Sequence, residues 1–109
     1  MLSILIPVYN YNAYPLASEL HKQCLECEIN FEILVFNDGG TQFENENLKI
    51  REFVYCTYIF SSKNIGRTQA RNTLSNSAKF QSLLFLDADV IPSTSFFIKN
   101  YLHYITESN

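Results

Sequence analysis

Two carboxylates, Asp87 and Asp89, close the apolar run Ser82-Leu83-Leu84-Phe85-Leu86 in the pattern Asp-x-Asp. A buried strand does not tolerate bare carboxylates, so the chain has to emerge there into a polar site. If the backbone stays extended through the pair, alternation puts both acids on one side, about 6.5–7 Å apart. Two acids so placed can hold a hard divalent cation and leave positions for phosphate oxygens and water. The structural alternative is capping, with Asp89 starting a turn at Val90-Ile91-Pro92 and Asp87 pairing with Arg71.

Three upstream clusters carry further chemistry. Asp38 follows the apolar run 31–36 within Asn37-Asp38-Gly39-Gly40. Its carboxylate can accept from a nucleobase edge or a ribose hydroxyl, or can simply cap its own turn. The two glycines let the backbone bend and approach a ligand closely. Tyr9, after Pro7, can stack on a flat base or plug the end of the sheet. Asn64-x-Gly66 ahead of a helix offers amide donors and a helix dipole to an anion. Lys63, Arg67 and Arg71 add positive charge there, or a solvated helix face. His21 and His103 are isolated in helical patterns and receive no role. There is no Ser/His/Asp arrangement, Walker-type loop or zinc spacing.

The elements that must position these clusters follow from periodicity. Leu2 to Ile6 reads as a buried strand stopped by Pro7. Asn12 can cap a helix carrying Leu16, Leu20, Cys24 and Cys27. Phe31 to Phe36 is a second strand closed by a turn signal. Residues 41–49 are ambiguous, with room for a short helix. Glu52 to Phe60 reads as a third strand. Asn64-Ile65-Gly66 opens a helix to about Lys79, with Ala70, Leu74 and Ala78 inward. The Asp-x-Asp strand follows, and Ser93 or Thr94 can cap a last helix from Ser95 to Thr106. Alternation with near-continuous apolar strands predicts an α/β domain with a mostly parallel, Rossmann-like sheet flanked by helices. Ligands of such sheets bind at the carboxyl ends of the strands, and every polar cluster named above falls on that edge.

Bulk properties narrow the class. The 109 residues suit one small domain, and nine Phe and seven Tyr supply core material. A net charge of −3 without a Lys/Arg run argues against nucleic-acid binding. Three Cys make no disulfide framework and point to a reducing compartment, and Cys24-x-x-Cys27 reads as packing thiols. No secretory signal is evident and no apolar run approaches the roughly 20 residues of a membrane span. The expected location is cytoplasmic, with the inner face of a membrane as the alternative.

Taken in order, these residues resemble the family 2 glycosyltransferases of the GT-A fold. Ser3-Ile4-Leu5-Ile6-Pro7-Val8-Tyr9-Asn10 is similar to the family's opening strand. The segment Phe31 to Thr41 resembles its second strand and Asp-Asp-Gly-Ser turn, with Asn37 in place of the first Asp and Gly40 in place of the Ser. Asn64-Ile65-Gly66-Arg67-Thr68-Gln69-Ala70-Arg71-Asn72 matches the Asn-x-Gly-x-x-x-Ala-Arg-Asn helix start. Leu84-Phe85-Leu86-Asp87-Ala88-Asp89 matches the Asp-x-Asp strand.

The resemblance implies that Pro7, Tyr9 and Asp38 line a nucleoside pocket, with Asp38 facing the base. It places Asn64 and Arg71 near the sugar or diphosphate, Asp87 near the ribose, and Asp89 on Mn2+ or Mg2+. It implies a nucleotide-diphosphate sugar as donor, expected to be a UDP-sugar, inverting transfer to an acceptor hydroxyl, and an acceptor that is not defined. The family's enzymes continue past the Asp-x-Asp strand, so residues 1–109 are expected to form a truncated, donor-binding domain. The general base is then expected beyond Asn109, and self-association through the uncovered sheet edge is expected. The alternative is a non-catalytic remnant that binds a nucleotide or a partner. A nucleotidyltransferase would need a Gly-rich basic loop after the first strand. A receiver domain would need an acidic pair there. Tyr9-Asn10-Tyr11-Asn12 supplies no such loop, and Pro7-Val8-Tyr9-Asn10 no such pair.

Overall fold

The computed structural model describes residues 1–107. Its elements are β1 (Leu2–Val8), α1 (Tyr14–Glu26), β2 (Phe31–Asp38), α2 (Glu44–Leu48), a 3-10 turn (Lys49–Glu52), β3 (Cys56–Ser61), α3 (Arg67–Ser77), β4 (Ser82–Phe85) and α4 (Phe97–Glu107). The four strands form one all-parallel sheet in the order β3-β2-β1-β4. The chain therefore winds outward from β1 to β3, then crosses back through α3 to place β4 on the other side of β1. That reversal makes the gap between the ends of β1 and β4 the switch point, where parallel sheets bind ligands.

Both faces of the sheet are covered, which is why β1 and β2 read as unbroken apolar runs. Leu2, Ile4, Ile6 and Val8 of β1 pack with Phe31, Ile33 and Val35 of β2 on the face covered by Leu16, Ala17, Leu20 and Cys24 of α1. Ile50 and Ile98 complete that core. Leu5, Leu34 and Phe36 point the other way, against Ala70 and Leu74 of α3. Glu32, an acid inside an apolar strand, is buried, and its carboxylate accepts the Ser3 hydroxyl at 2.6 Å and the Lys79 amide at 2.7 Å. Burial pushes the Cys24 and Cys56 thiols up to about 12, and all three cysteines are unbridged. Cys24 and Cys56 are thus protonated packing groups at neutral pH.

Several element boundaries depart from the sequence expectation. Pro7 does not stop β1 but lies within it, paired with Phe36. It shares the parity of Leu5, whose carbonyl accepts the Leu86 amide. The N–H that proline lacks would therefore point past the end of the β1–β4 pairing, which closes at Leu5 and Phe85. The third strand starts at Cys56 rather than Glu52, because Glu52 belongs to the 3-10 turn and Tyr55 takes a φ of 67°. Helix α3 begins at Arg67, after a Gly66 with φ of 90°. Asn12 does not occupy the cap position of α1, which falls to Ala13, but its side chain accepts the Tyr14 amide at 3.1 Å. The Thr94 hydroxyl accepts the Phe96 amide at 2.7 Å just ahead of α4. Among the described residues no helix is long and apolar enough to cross a membrane.

Candidate functional site

A cleft of about 390 Å³ opens at the switch point. The exit of β1 supplies Pro7, Val8, Tyr9 and Tyr11, and the end of β2 supplies Asp38. The start of α3 supplies Asn64, Gly66, Arg67 and Ala70, and the exit of β4 supplies Asp87, Ala88 and Asp89. Six of the residues singled out in the sequence, Pro7, Tyr9, Asp38, Asn64, Asp87 and Asp89, thus converge on one space. Arg71 does not line it. Its guanidinium lies 4.3 Å from the centre of the Phe85 ring, and Arg67, one turn earlier, faces the cleft instead.

Asp38 is buried, and neither carboxylate oxygen is free of the protein. Oδ1 accepts the Ile65 amide at 2.6 Å and Oδ2 accepts the Gly66 amide at 3.0 Å. Charge-assisted bonds of this kind are strong, and here they pin the start of α3 to the end of β2. A base-facing Asp38 would have to use its remaining lone pairs. The two glycines that follow serve the same assembly rather than a ligand. A Cβ on Gly39, whose φ is 83°, would stand 2.8 Å from the Asn64 backbone nitrogen. A Cβ on Gly40 would stand 2.5 Å from the Asn10 nitrogen. They let the three loops of the cleft close on one another.

Asn37 lies beneath this floor and does not line the cleft. Its side chain is fully buried and accepts the Gly40 amide at 2.9 Å through Oδ1. Nδ2 donates to the Gly40 carbonyl at 2.9 Å and to the Tyr58 hydroxyl at 2.8 Å. Tyr58 in turn donates to Glu44 at 3.1 Å. The departure at Asn37 therefore concerns the turn, where an amide supplies donors that a carboxylate lacks. Burial raises the Tyr58 phenol above its ordinary value, with the Asn37 bond opposing that rise.

The two acids after β4 do not sit on an extended strand. The strand ends at Phe85, and residues 87–90 form a turn in which the Val90 amide donates to the Asp87 carbonyl at 3.1 Å. Strand alternation is thus not what brings them together, yet both acids reach the cleft. Asp87 Oδ1 accepts from Arg67 Nη2 at 3.1 Å, so its ionic partner is Arg67 and not Arg71. No group of three or more His, Cys, Asp or Glu suited to a metal occurs among the described residues. Two exposed carboxylates on one turn nevertheless fit an ion that takes its remaining ligands from phosphate and water, as Mg2+ does.

Sequence reasoning left out Tyr11, two residues beyond Tyr9. Its signal was the second aromatic in Tyr9-Asn10-Tyr11. The loop carrying it is held from below by Asn47, fully buried, which donates to the Tyr11 carbonyl at 3.0 Å and accepts the Ala13 amide at 2.8 Å.

The parallel Rossmann-like sheet with an acid-bearing cleft at its switch point has the fold of the GT-A class of α/β domains. The sequence model of Glycosyl transferase family 2 matches residues 3–109, and the chain belongs to that family. It is 32% identical over 88 residues to an uncharacterized glycosyltransferase of Rickettsia bellii, and 31% identical over 94 residues to glycosyltransferase GlyA of Streptococcus pneumoniae. Each match covers 81% of this chain and 13% of the relative, so the chain spans a small part of their length. Among solved structures, S. aureus TarS 1-349 in complex with UDP-GlcNAc matches 97% of this chain and 31% of its own, with a TM-score of 0.75 and 24% identity. The mannosyltransferase PcManGT from Pyrobaculum calidifontis, in complex with GDP-Man and Mn2+, matches 95% of this chain and 32% of its own, with a TM-score of 0.72 and 18% identity.

Proposed function

We propose that residues 1–109 form the donor-binding half of a glycosyltransferase and take a nucleotide-diphosphate sugar into the cleft. The observation that carries this reading is the convergence of Pro7 and Tyr9 with Asp87 and Asp89 across the switch point. The aromatic side offers a stacking surface for a base, extended by Tyr11, and the acidic side suits the diphosphate end. Asn64 and Gly66 border the cleft between them, at the start of a helix whose dipole favours an anion.

Asp89 would hold Mn2+ or Mg2+, which when bound offsets the negative charge of the leaving diphosphate. Asp87, which the family resemblance places near the ribose, stands on the same turn and would share the ion. The chain's own groups do the rest of the positioning. Asp38 fixes the loop that borders the cleft, and Tyr9 and Pro7 set where the base enters. A UDP-sugar is the proposed donor, supported by the likeness to TarS. By family resemblance the acceptor hydroxyl attacks the anomeric carbon with inversion. Each cleft carboxylate already has a task, so the base that activates the acceptor is proposed to come from outside residues 1–109. Donor binding with at most slow donor hydrolysis is then expected of this segment.

A thermal-shift panel of UDP, GDP, UDP-sugars and GDP-sugars, run with Mn2+ and with chelator, tests the reading. The expected result is a metal-dependent shift with at least one nucleotide, lost in Asp89→Asn. A panel with no nucleotide shift, or one indifferent to Asp89→Asn and to chelator, would reject the donor site or its metal respectively.

A further inference from the structure

Arg67 is the one Lys or Arg among the described residues that line the cleft, and it is already paired there, with Asp87 at 3.1 Å. Both partners are mostly exposed, 69% and 57%, so the pair is weak and exchanges readily. Arg71, the other arginine of the helix start, is held over the Phe85 ring, so it does not relieve Arg67 of duty in the cleft. A cation seated on the β4 acids would compete with Arg67 for Asp87, because two positive groups cannot share one carboxylate without mutual repulsion. A diphosphate reverses that conflict, since it offers several anionic oxygens to both. The guanidinium has five donors in a planar fork that matches phosphate, and its position on the first residue of α3 lies beside Asn64 and Gly66.

We propose that Arg67 is an exchangeable counter-ion: it neutralises Asp87 in the empty cleft and turns to the diphosphate when a divalent cation takes the carboxylate. The inference rests on the donor-site reading and adds to it a coupling between the two ligands. Arg67 lowers the affinity for the cation alone and raises the affinity for the nucleoside diphosphate in its presence. By linkage, the factor by which the bound cation raises nucleotide affinity is also the factor by which the nucleotide raises cation affinity.

The test compares the 109-residue chain with Arg67→Gln and Arg67→Lys, all checked for native circular dichroism. Mn2+ alone is titrated by the electron-spin-resonance signal of the free ion, and UDP and GDP by calorimetry in saturating Mn2+. In Arg67→Gln, Mn2+ alone is expected to bind about two- to fivefold tighter, the range of an exposed ion pair. The better nucleotide is expected to bind about tenfold weaker, as for one lost charge-assisted bond. Arg67→Lys should keep the cation affinity within about twofold of the parent, because a like charge remains beside Asp87. Unchanged or weaker Mn2+ binding in Arg67→Gln, or undiminished nucleotide binding, overturns the exchange while leaving the donor site intact. Failure of the parent chain to bind either nucleotide removes the donor site and the exchange together.

Discussion

Asp38, the last residue of β2, holds Gly66, the residue before α3: its Oδ2 accepts the Gly66 amide at 3.0 Å. Oδ1 takes the adjacent Ile65 amide at 2.6 Å, so one carboxylate satisfies two backbone donors at a helix start. Removing it leaves the Ile65 amide to solvent and the Gly66 amide with only the Asn64 side-chain oxygen at 3.2 Å. Asp38→Ala is expected to lose about 1–3 kcal/mol of stability in urea or guanidinium titrations, and Asp38→Asn less, since one acceptor oxygen remains. Parent-like stability in Asp38→Ala with nucleotide binding abolished would instead assign the residue to the ligand directly.

Asn37 serves as an amide and not as an acid. In Asn37→Asp the new carboxylate would face the Gly40 carbonyl, with Glu44 beyond Tyr58, so its folded pKa should lie above its unfolded value. For a group raised in this way, stability is retained below the unfolded pKa and lost as pH rises through the folded one. The variant should therefore come nearest to the parent below about pH 4, where the protonated carboxyl can replace one of the two Nδ2 donors, and be about 1–3 kcal/mol less stable than the parent at neutral pH. Adding Glu44→Gln should recover part of that deficit. Denaturation curves at several pH values check both points.

Gly40 is closed in by the β1–α1 loop. A methyl group there would collide with the backbone and side chain of Asn10, and the collision is with main chain that cannot rotate away. Gly40→Ala is expected to cost about 1–3 kcal/mol and to weaken nucleotide binding by moving Tyr9 and Tyr11. Gly66→Ala meets no neighbour but has a φ of 90° with a ψ of 156°, a region kept almost entirely to glycine, so its cost should come from backbone strain alone, about 1–3 kcal/mol. Thermal melts of the two variants separate steric from conformational cost.

Cys24 and Cys56 make the fold alkali-sensitive. Burial raises both thiols from 9.0 to about 12. Between these values the unfolded chain has released the protons and the folded chain retains them, so stability falls as pH rises from about 9 towards 12. Below pH 9 the two thiols contribute no slope. Cys24→Ala should remove one proton from the alkaline slope, measured as the change of unfolding free energy with pH. An unaltered slope would mean that Cys24 ionises as freely in the folded chain as in the unfolded one.

Much of the site was legible in the linear chain because its parts sit at strand exits. An apolar run that stops in Asn37-Asp38-Gly39-Gly40 or Asp87-Ala88-Asp89 marks a strand end without any knowledge of the partner strands. The α/β class followed from the same alternation. Less legible were features set by partners distant in sequence. Pro7 could extend β1 only because β4 stops short beside it, a matter of relative strand length. The choice between Arg67 and Arg71 was open because both lie near the start of one helix. Packing decided it by giving Arg71 the Phe85 ring and leaving Arg67 at the cleft.

The residue types, their spacing and the repeating apolar pattern by themselves determined that this protein is a parallel α/β domain with acids, an aromatic and a helix start on one edge. Only the tertiary structure decided what each does there. Strand order placed β4 beside β1 and so created the cleft, and hydrogen bonding across 27 residues turned Asp38 from a free acid into a clamp. The turn after Phe85, not strand alternation, set where Asp87 and Asp89 stand. The reason is physical: periodicity is a property of neighbours along the chain, whereas the fate of a charge depends on the partner that folding brings to it.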